Sequence, residues 1–232
     1  MTRLACSRAS AARLLARHSS TMFEEPPVSF TRRLLPLGVL VPVLYFGTML
    51  VAASTWPGYS HVTRYASELG GPEAPLPWLF NRGIITMGVV CLLAAFGMGA
   101  GLGQAGGRRG LAAVAAVCLA LFGVSMIMGG MFPMPDERHG AYGLAFALVP
   151  APLLMALALA NQPRWKGLAV FLVVSFVLMS GLLGVMMGAG GLVTRANVGL
   201  WQRANALTMF PWIGITAWQL SRGLARQGSE PR

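Results

Sequence analysis

The chain has 232 residues, of which 55% are hydrophobic and only 11% charged, with a mean hydropathy of +0.62. A soluble domain carries about a quarter charged residues, so this chain has too few polar groups to cover a soluble surface. That argues against a soluble enzyme, a disordered protein and a nucleic-acid binder, and it fits one compact multi-span membrane domain.

The charge balance is basic, with 18 Lys+Arg against 7 Asp+Glu. The bases fall in short connections between apolar runs, which is the pattern of topology signals. No basic cluster is interleaved with stacking aromatics, so no nucleic-acid partner is expected.

The first 21 residues carry Arg3, Arg8, Arg13 and Arg17, many Ala and Ser, and no acid. Three readings fit this composition. It is that of an organellar transit peptide, of a basic tail on anionic lipid, or of an over-long start with Met22 as the true one. The last is preferred, and residues 1–33 are set apart from the fold as a basic tail.

Six apolar stretches follow, near 34–55, 83–103, 111–130, 141–160, 167–190 and 199–220. Each has about the 20 helical residues needed to cross a bilayer core. They are continuously apolar rather than alternating, which excludes strands. The expected fold is all-α: a polytopic membrane protein with six transmembrane helices in one bundle over residues 34–221. Residues 222–232 form a short basic tail.

With six spans the termini share a side, and 13 of the 18 bases lie on it. Arg64, Arg82, Arg138, Arg195 and Arg203 fall on the other side with Glu68, Glu73, Asp136 and Glu137. The positive-inside rule then places both termini in the cytoplasm.

Within the spans, Gly97, Gly99, Gly101 and Gly103, and Gly184 with Gly188, have GxxxG spacing that lets helix backbones approach, within the bundle or in a helix-mediated homo-oligomer. Pro36, Pro42, Pro150, Pro152 and Pro211 are expected at kinks or ends. Cys91 and Cys118 read as small core residues. Trp56, Tyr59, Trp78, Phe80 and Trp201 on the outer side, and Trp165 and Trp218 on the inner, read as an aromatic belt.

The unusual polar residues gather in three outer segments. In the first, Ser60 reads as an N-cap and Gly70–Gly71 as a left-handed stop, predicting a two-turn helix from His61 to Leu69. Val62, Ala66 and Leu69 lie on one face of it, and His61, Arg64, Tyr65 and Glu68 on the other. Arg64 and Glu68 are spaced to pair. In the second, Pro135–Asp136 makes a turn, and His139 and Tyr142 open the fourth span on one face. In the third, Arg195 precedes the last span, and Arg203 lies near its outer end, where it snorkels to headgroups.

These segments suggest an outer vestibule lined by His61, Arg64, Tyr65, Glu68, Asp136, His139, Arg195 and Arg203. The plain reading is an ion-pair network in which Arg64, Arg195 and Arg203 pair with Glu68, Asp136 and Glu137. A sharper reading makes His61, Glu68, Asp136 and His139 zinc ligands, although no HExxH or equivalent spacing supports it. Another makes these four catalytic acid–base groups, with Arg64, Tyr65, Arg195 and Arg203 holding a lipid headgroup. A serine nucleophile lacks its GxSxG. Haem lacks histidines deep in the spans, and no particular cofactor is indicated.

The string Pro57-Gly-Tyr-Ser-His-Val-Thr-Arg-Tyr-Ala-Ser-Glu-Leu-Gly70, then Gly71-Pro-Glu-Ala-Pro75 and Trp78-Leu-Phe-Asn81, resembles a prokaryotic six-span family, domain of unknown function 998. So do Phe132, Pro133, Asp136 and His139 in the second segment and Gly199-Leu-Trp-Gln-Arg203 in the third. The resemblance covers roughly residues 34–220. It implies six helices and the cytoplasmic membrane, and no activity, substrate or cofactor. The leading functional expectation is a non-catalytic protein that binds or passes a membrane lipid or small amphiphile. The alternatives are a membrane-embedded hydrolase or transferase on lipid headgroups, and a structural or assembly subunit.

Overall fold

The computed structural model describes residue 30 and residues 33–227. The basic segment of residues 1–21 and the preferred start at Met22 lie outside the described residues. Among the described residues seven α-helices follow in order: α1 (Leu40–Ser54), α2 (Pro77–Gln104), α3 (Arg109–Met131), α4 (Ala151–Leu159), α5 (Lys166–Met186), α6 (Val198–Met209) and α7 (Pro211–Gln227). A 3-10 turn over Leu35–Val39 leads into α1, and no strand occurs among the described residues.

Among the described residues five stretches are long and apolar enough to cross a membrane: Leu35–Ser54, Pro77–Gln104, Arg109–Met131, Glu137–Leu159 and Pro163–Met186. The chain is a multi-pass helical membrane protein. Large apolar side chains point outward, among them Phe96 (66% exposed), Val43 (61%) and Val177 (58%). In a bilayer these meet acyl chains, which are as apolar as they are.

Helix association in lipid relies on close packing through small residues, and α2 and α3 pair this way. A Cβ on Gly88 would lie 2.7 Å from the Gly123 carbonyl oxygen, and one on Gly123 would lie 2.9 Å from that of Gly88. The glycines expected at such contacts behave unequally. Gly97 seats α2 against the Leu35 turn, with a Cβ there 2.5 Å from the Leu35 nitrogen, while Gly99 meets Ala116 on α3. Gly184 would meet nothing within 4 Å, and Gly188 takes φ +101° just beyond α5.

Three of the expected spans change at their ends or in their course. α2 starts six residues early, because Pro77 sits in its first turn, where a missing N–H costs nothing. The fourth stretch is not one α-helix. Residues Glu137–Leu148 wind as 3-10 helix, interrupted by left-handed Ala141 (φ 45°), Tyr142 (φ 51°) and Gly143 (φ 81°). Tyr142 is consequently turned outward, 81% exposed, and does not share a face with His139. α4 restarts at Ala151, between Pro150 and Pro152, which need no N–H acceptor there.

The expected sixth span is likewise divided, into α6 and α7 at Phe210–Pro211. α7 then runs to Gln227, so Arg222 and Arg226 belong to a helix rather than to a tail.

The two ends of the bundle are knitted separately. At the end holding the N- and C-terminal described residues, the Arg108 amide donates to the Ala158 carbonyl (3.0 Å) and Gln162 Nε2 to that of Gly106 (2.6 Å). Arg164 donates to the Gly223 carbonyl (3.1 Å), and Trp165 is buried with its ring against Gly223. Trp165 is thus a packing residue rather than part of a belt, and so is the buried Phe80. The opposite end carries the three segments singled out from the sequence.

Candidate functional site

Residues 56–71 fold over the bundle end as two short turns, not as one two-turn helix. Ser60 caps the first: its Oγ accepts from the amides of Val62 and Thr63, both at 3.3 Å, and its carbonyl from the Arg64 amide at 3.0 Å. Tyr65 is extended (ψ 149°) and breaks the winding. A 3-10 turn over Ala66–Gly70 follows, with Glu68 Oε1 accepting from the Tyr65 amide at 2.7 Å. Of the three apolar residues expected on one face, Ala66 and Leu69 are buried whereas Val62 is exposed.

Gly71 closes the turn with φ −81°, so no left-handed stop is used. Gly70 is required for another reason. A Cβ there would strike the Asn81 side chain, whose Nδ2 donates to the Gly70 carbonyl at 3.0 Å.

The start of α6 locks onto this segment. The Leu200 amide donates to the Val62 carbonyl (3.0 Å), and the Ala66 amide to Gln202 Oε1 (2.6 Å). Gly199 makes the approach possible, since a Cβ on it would lie 2.7 Å from the His61 carbonyl oxygen. Arg203 completes the lock. Its Nη1 donates to the Arg64 carbonyl (2.6 Å) and to that of Gly199 (3.2 Å), and its Nη2 to the Tyr59 hydroxyl. The Tyr59 hydroxyl in turn donates a hydrogen bond to the Tyr65 carbonyl at 2.9 Å.

Arg203 therefore meets carbonyls and a phenol, with no carboxylate. Burial pushes the Tyr59 pKa up, opposed by the Arg203 charge. Partial burial and then the same charge push the His61 pKa down. The exposed His61 ring stands edge-on to Tyr59.

The charged side chains distribute as follows. Arg64 pairs with Glu68 (3.0 Å), as its spacing indicated, and with Glu73 (3.3 Å), and it lies over the Trp56 ring. Asp136 caps its own turn: it accepts from the Arg138 amide (2.8 Å), Nε (2.9 Å) and Nη2 (2.7 Å). These bonds hold the Asp136 carboxyl down at about 2. Arg195 is exposed and makes no hydrogen bond or ion pair among the described residues.

His139 Nδ1 lies 2.9 Å from the Phe132 carbonyl, which can only accept, so Nδ1 carries the proton. Of the expected ion pairs only Arg64–Glu68 forms. The acids of the second segment are not joined to the arginines of the other two, because Arg138, which sequence reasoning passed over, takes Asp136.

Neither His61 nor His139 pairs with a carboxylate. Among the described residues no group of three His, Cys, Asp or Glu is placed to hold a metal ion. The zinc arrangement of His61, Glu68, Asp136 and His139 is thus not assembled: the last two are tied within residues 132–139, and Glu68 is committed to Arg64 and the Tyr65 amide.

Beneath the cap lies a cavity of 480 Å³, within the range of small-molecule sites, about 300–1,000 Å³. Tyr45, Phe122 and Phe210 supply aromatic wall. Tyr45 and Phe210 stack 3.8 Å apart, and Phe122 lies 5.8 Å from Phe210. Ser67, Ser125, His139, Gln202 and Asn205 supply polar groups.

Both irregular stretches border this space: Gly140, Ala141 and Gly143 from the left-handed interruption, and Met209 and Phe210 from the α6–α7 break. At membrane depth, interrupted backbone persists only where it is buried in protein or lines a cavity. Sequence reasoning selected His139 among these residues; it placed Gln202 and Asn205 in the third polar segment without giving either a role, and it passed over Ser125. The visible signal for Gln202 and Asn205 was a pair of amides three residues apart in an apolar run.

The family described as "protein of unknown function (DUF998)" matches residues 39–219. The chain belongs to this family. No curated protein and no solved structure matches the chain. The matched region spans the cap, the cavity and all three strings on which the resemblance rested. In the structure the first and third of those strings bolt residues 56–71 to α2 and α6, while the second closes its own turn.

Proposed function

We propose that this DUF998 protein binds a small amphiphile or lipid in the cavity below the cap. The observation that carries the reading is that both helix interruptions open on one cavity. Interrupted spans facing each other are a recurrent way of presenting backbone and side-chain polar groups inside a membrane. The left-handed residues Ala141 and Tyr142 cost roughly 1–2 kcal/mol each, a strain that an idle structural helix has no reason to keep.

In this reading the residues first considered as a vestibule take separate parts. His139 lines the site. Tyr65 and Arg203 hold the cap, while Glu68 and Arg64 tie its second turn. Asp136 fixes the turn that brings His139 inward. His61 and Arg195 stand at the rim toward lipid headgroups. The excess of bases at the opposite end supports an outward-facing cap in a prokaryotic cytoplasmic membrane, with both termini inside.

Native mass spectrometry of the protein released from lipid nanodiscs tests the reading, with Gly129→Leu as the blocking variant. Gly129 lines the cavity, and a Cβ there has 3.9 Å of clearance to His139. The wild-type protein is expected to carry a small-molecule adduct that the variant lacks. A bare wild-type chain, or the same adduct on both, overturns the proposal.

A further inference from the structure

We infer that the cavity selects an uncharged amphiphile with a hydroxyl headgroup, such as a long-chain alcohol or an acylglycerol; this rests on the amphiphile-binding reading above. Asn205 is 7% exposed, its Nδ2 points at Met209 Sδ (3.2 Å), and its buried Oδ1 has no hydrogen-bond partner. A buried carbonyl oxygen without a donor is costly, and such groups call for an occupant that supplies one.

The neighbouring groups have the same bias. Ser125, 2% exposed, gives its proton to the Phe122 carbonyl at 2.7 Å and keeps its oxygen lone pairs. His139 gives its Nδ1 proton to Phe132, so its other ring nitrogen accepts when the ring is neutral. Gln202, one helical turn before Asn205, commits its oxygen to the Ala66 amide and keeps its amide N–H groups as donors.

A hydroxyl matches this set, because it donates to Asn205 or Ser125 and accepts from Gln202. A carboxylate or phosphate offers acceptors only. Among the described residues no Asp, Glu, Lys or Arg lines the cavity, so an ionic headgroup would also enter without a countercharge. Arg203, next to the lining residue Gln202, is engaged with the cap.

The test compares 1-decanol with decanoate at pH 8, two ligands of equal chain length, by equilibrium binding to the full-length protein in nanodiscs. Decanol is expected to bind the wild-type protein at least tenfold more tightly than decanoate. Asn205→Leu and, separately, Ser125→Ala are each expected to weaken decanol at least tenfold while leaving decanoate unchanged. Gly129→Leu reports partition into the bilayer alone.

Equal binding of the two ligands, tighter binding of decanoate, or indifference of decanol to both polar substitutions overturns the headgroup assignment and leaves cavity binding standing. If neither ligand binds the wild-type protein better than it binds Gly129→Leu, the amphiphile-binding reading itself fails.

Discussion

Replacing Arg203 by Ala removes the guanidinium that joins α6 to the cap. Two of its bonds cross between elements, to the Arg64 carbonyl and to the Tyr59 hydroxyl. Hydrogen bonds from a charged group contribute about 1.5–3 kcal/mol each, so about 3–6 kcal/mol is lost in gross terms. An offset comes from Arg203 Nε, which is buried without a partner and whose removal relieves about 1–3 kcal/mol. No carboxylate is stranded, because Arg203 pairs with none. The net loss centres on about 2–3 kcal/mol, within outer bounds of about 0–5, and at about 2–4 °C per kcal/mol for a chain of this size the central value lowers the midpoint by about 4–12 °C.

Thermal unfolding in nanodiscs measures this fall, and hydrogen exchange across residues 59–66 locates it. Arg203→Lys should lie between, since one ammonium cannot reproduce the two-pronged geometry. An unchanged midpoint, with unchanged amide protection of residues 62–66, would refute the lock. Loss of a bound phospholipid without loss of stability would show that Arg203 holds a headgroup instead.

Three further outcomes follow from the same contacts. Gly199→Val should detach the cap, because its side chain would enter space held by the His61 and Val62 backbone; exchange at Val62 and Ala66 should rise, while Gly184→Val, which meets nothing inside the bundle, should leave exchange unaltered. Gly129→Leu should raise the midpoint by filling cavity and by replacing a helical glycine, the latter worth about 1 kcal/mol; a lower midpoint would mean that the space is not there.

The Asp136 turn should be insensitive between pH 5 and 8. A carboxyl whose pKa is depressed in the folded protein contributes stability that is complete above its unfolded value of about 3.9 and lost as pH falls toward about 2. Acid titration of the wild-type protein against Asp136→Asn, followed by exchange at residues 136–139, checks this. A transition near neutrality that the variant abolishes would contradict it.

The membrane class and the positions of most helices were legible in the sequence because lipid imposes long apolar runs and punishes exposed backbone. Five of the six expected runs correspond to stretches long and apolar enough to cross a membrane, and the sixth falls on the divided α6–α7; hydropathy is blind to winding within a run. The fourth run reads as one span while Ala141–Gly143 turn left-handed inside it, with Gly140 and Gly143 the local hints. Pro211 in the last run did signal its break.

The site was half legible. Arg64–Glu68 followed from helical spacing, and it survives although the helix does not. Arg203 was recognised as unusual, but its acceptors are carbonyls of a distant loop, and main-chain partners leave no mark in sequence. Asp136 was assigned to distant arginines because Arg138, two residues away, was not weighed as its partner. Asn205 became a candidate only when its oxygen was found buried and unpartnered beside a cavity.

The central claim is that an amphiphile occupies the space between the two broken helices, and photo-crosslinking addresses it most directly. A diazirine-tagged decanol, irradiated with the protein in nanodiscs and followed by peptide mapping, should label segments 122–129, 139–146 and 202–210, and Gly129→Leu should abolish that pattern. Labelling spread instead over the lipid-facing positions around Val43, Phe96 and Val177, and unchanged in the variant, would contradict the account.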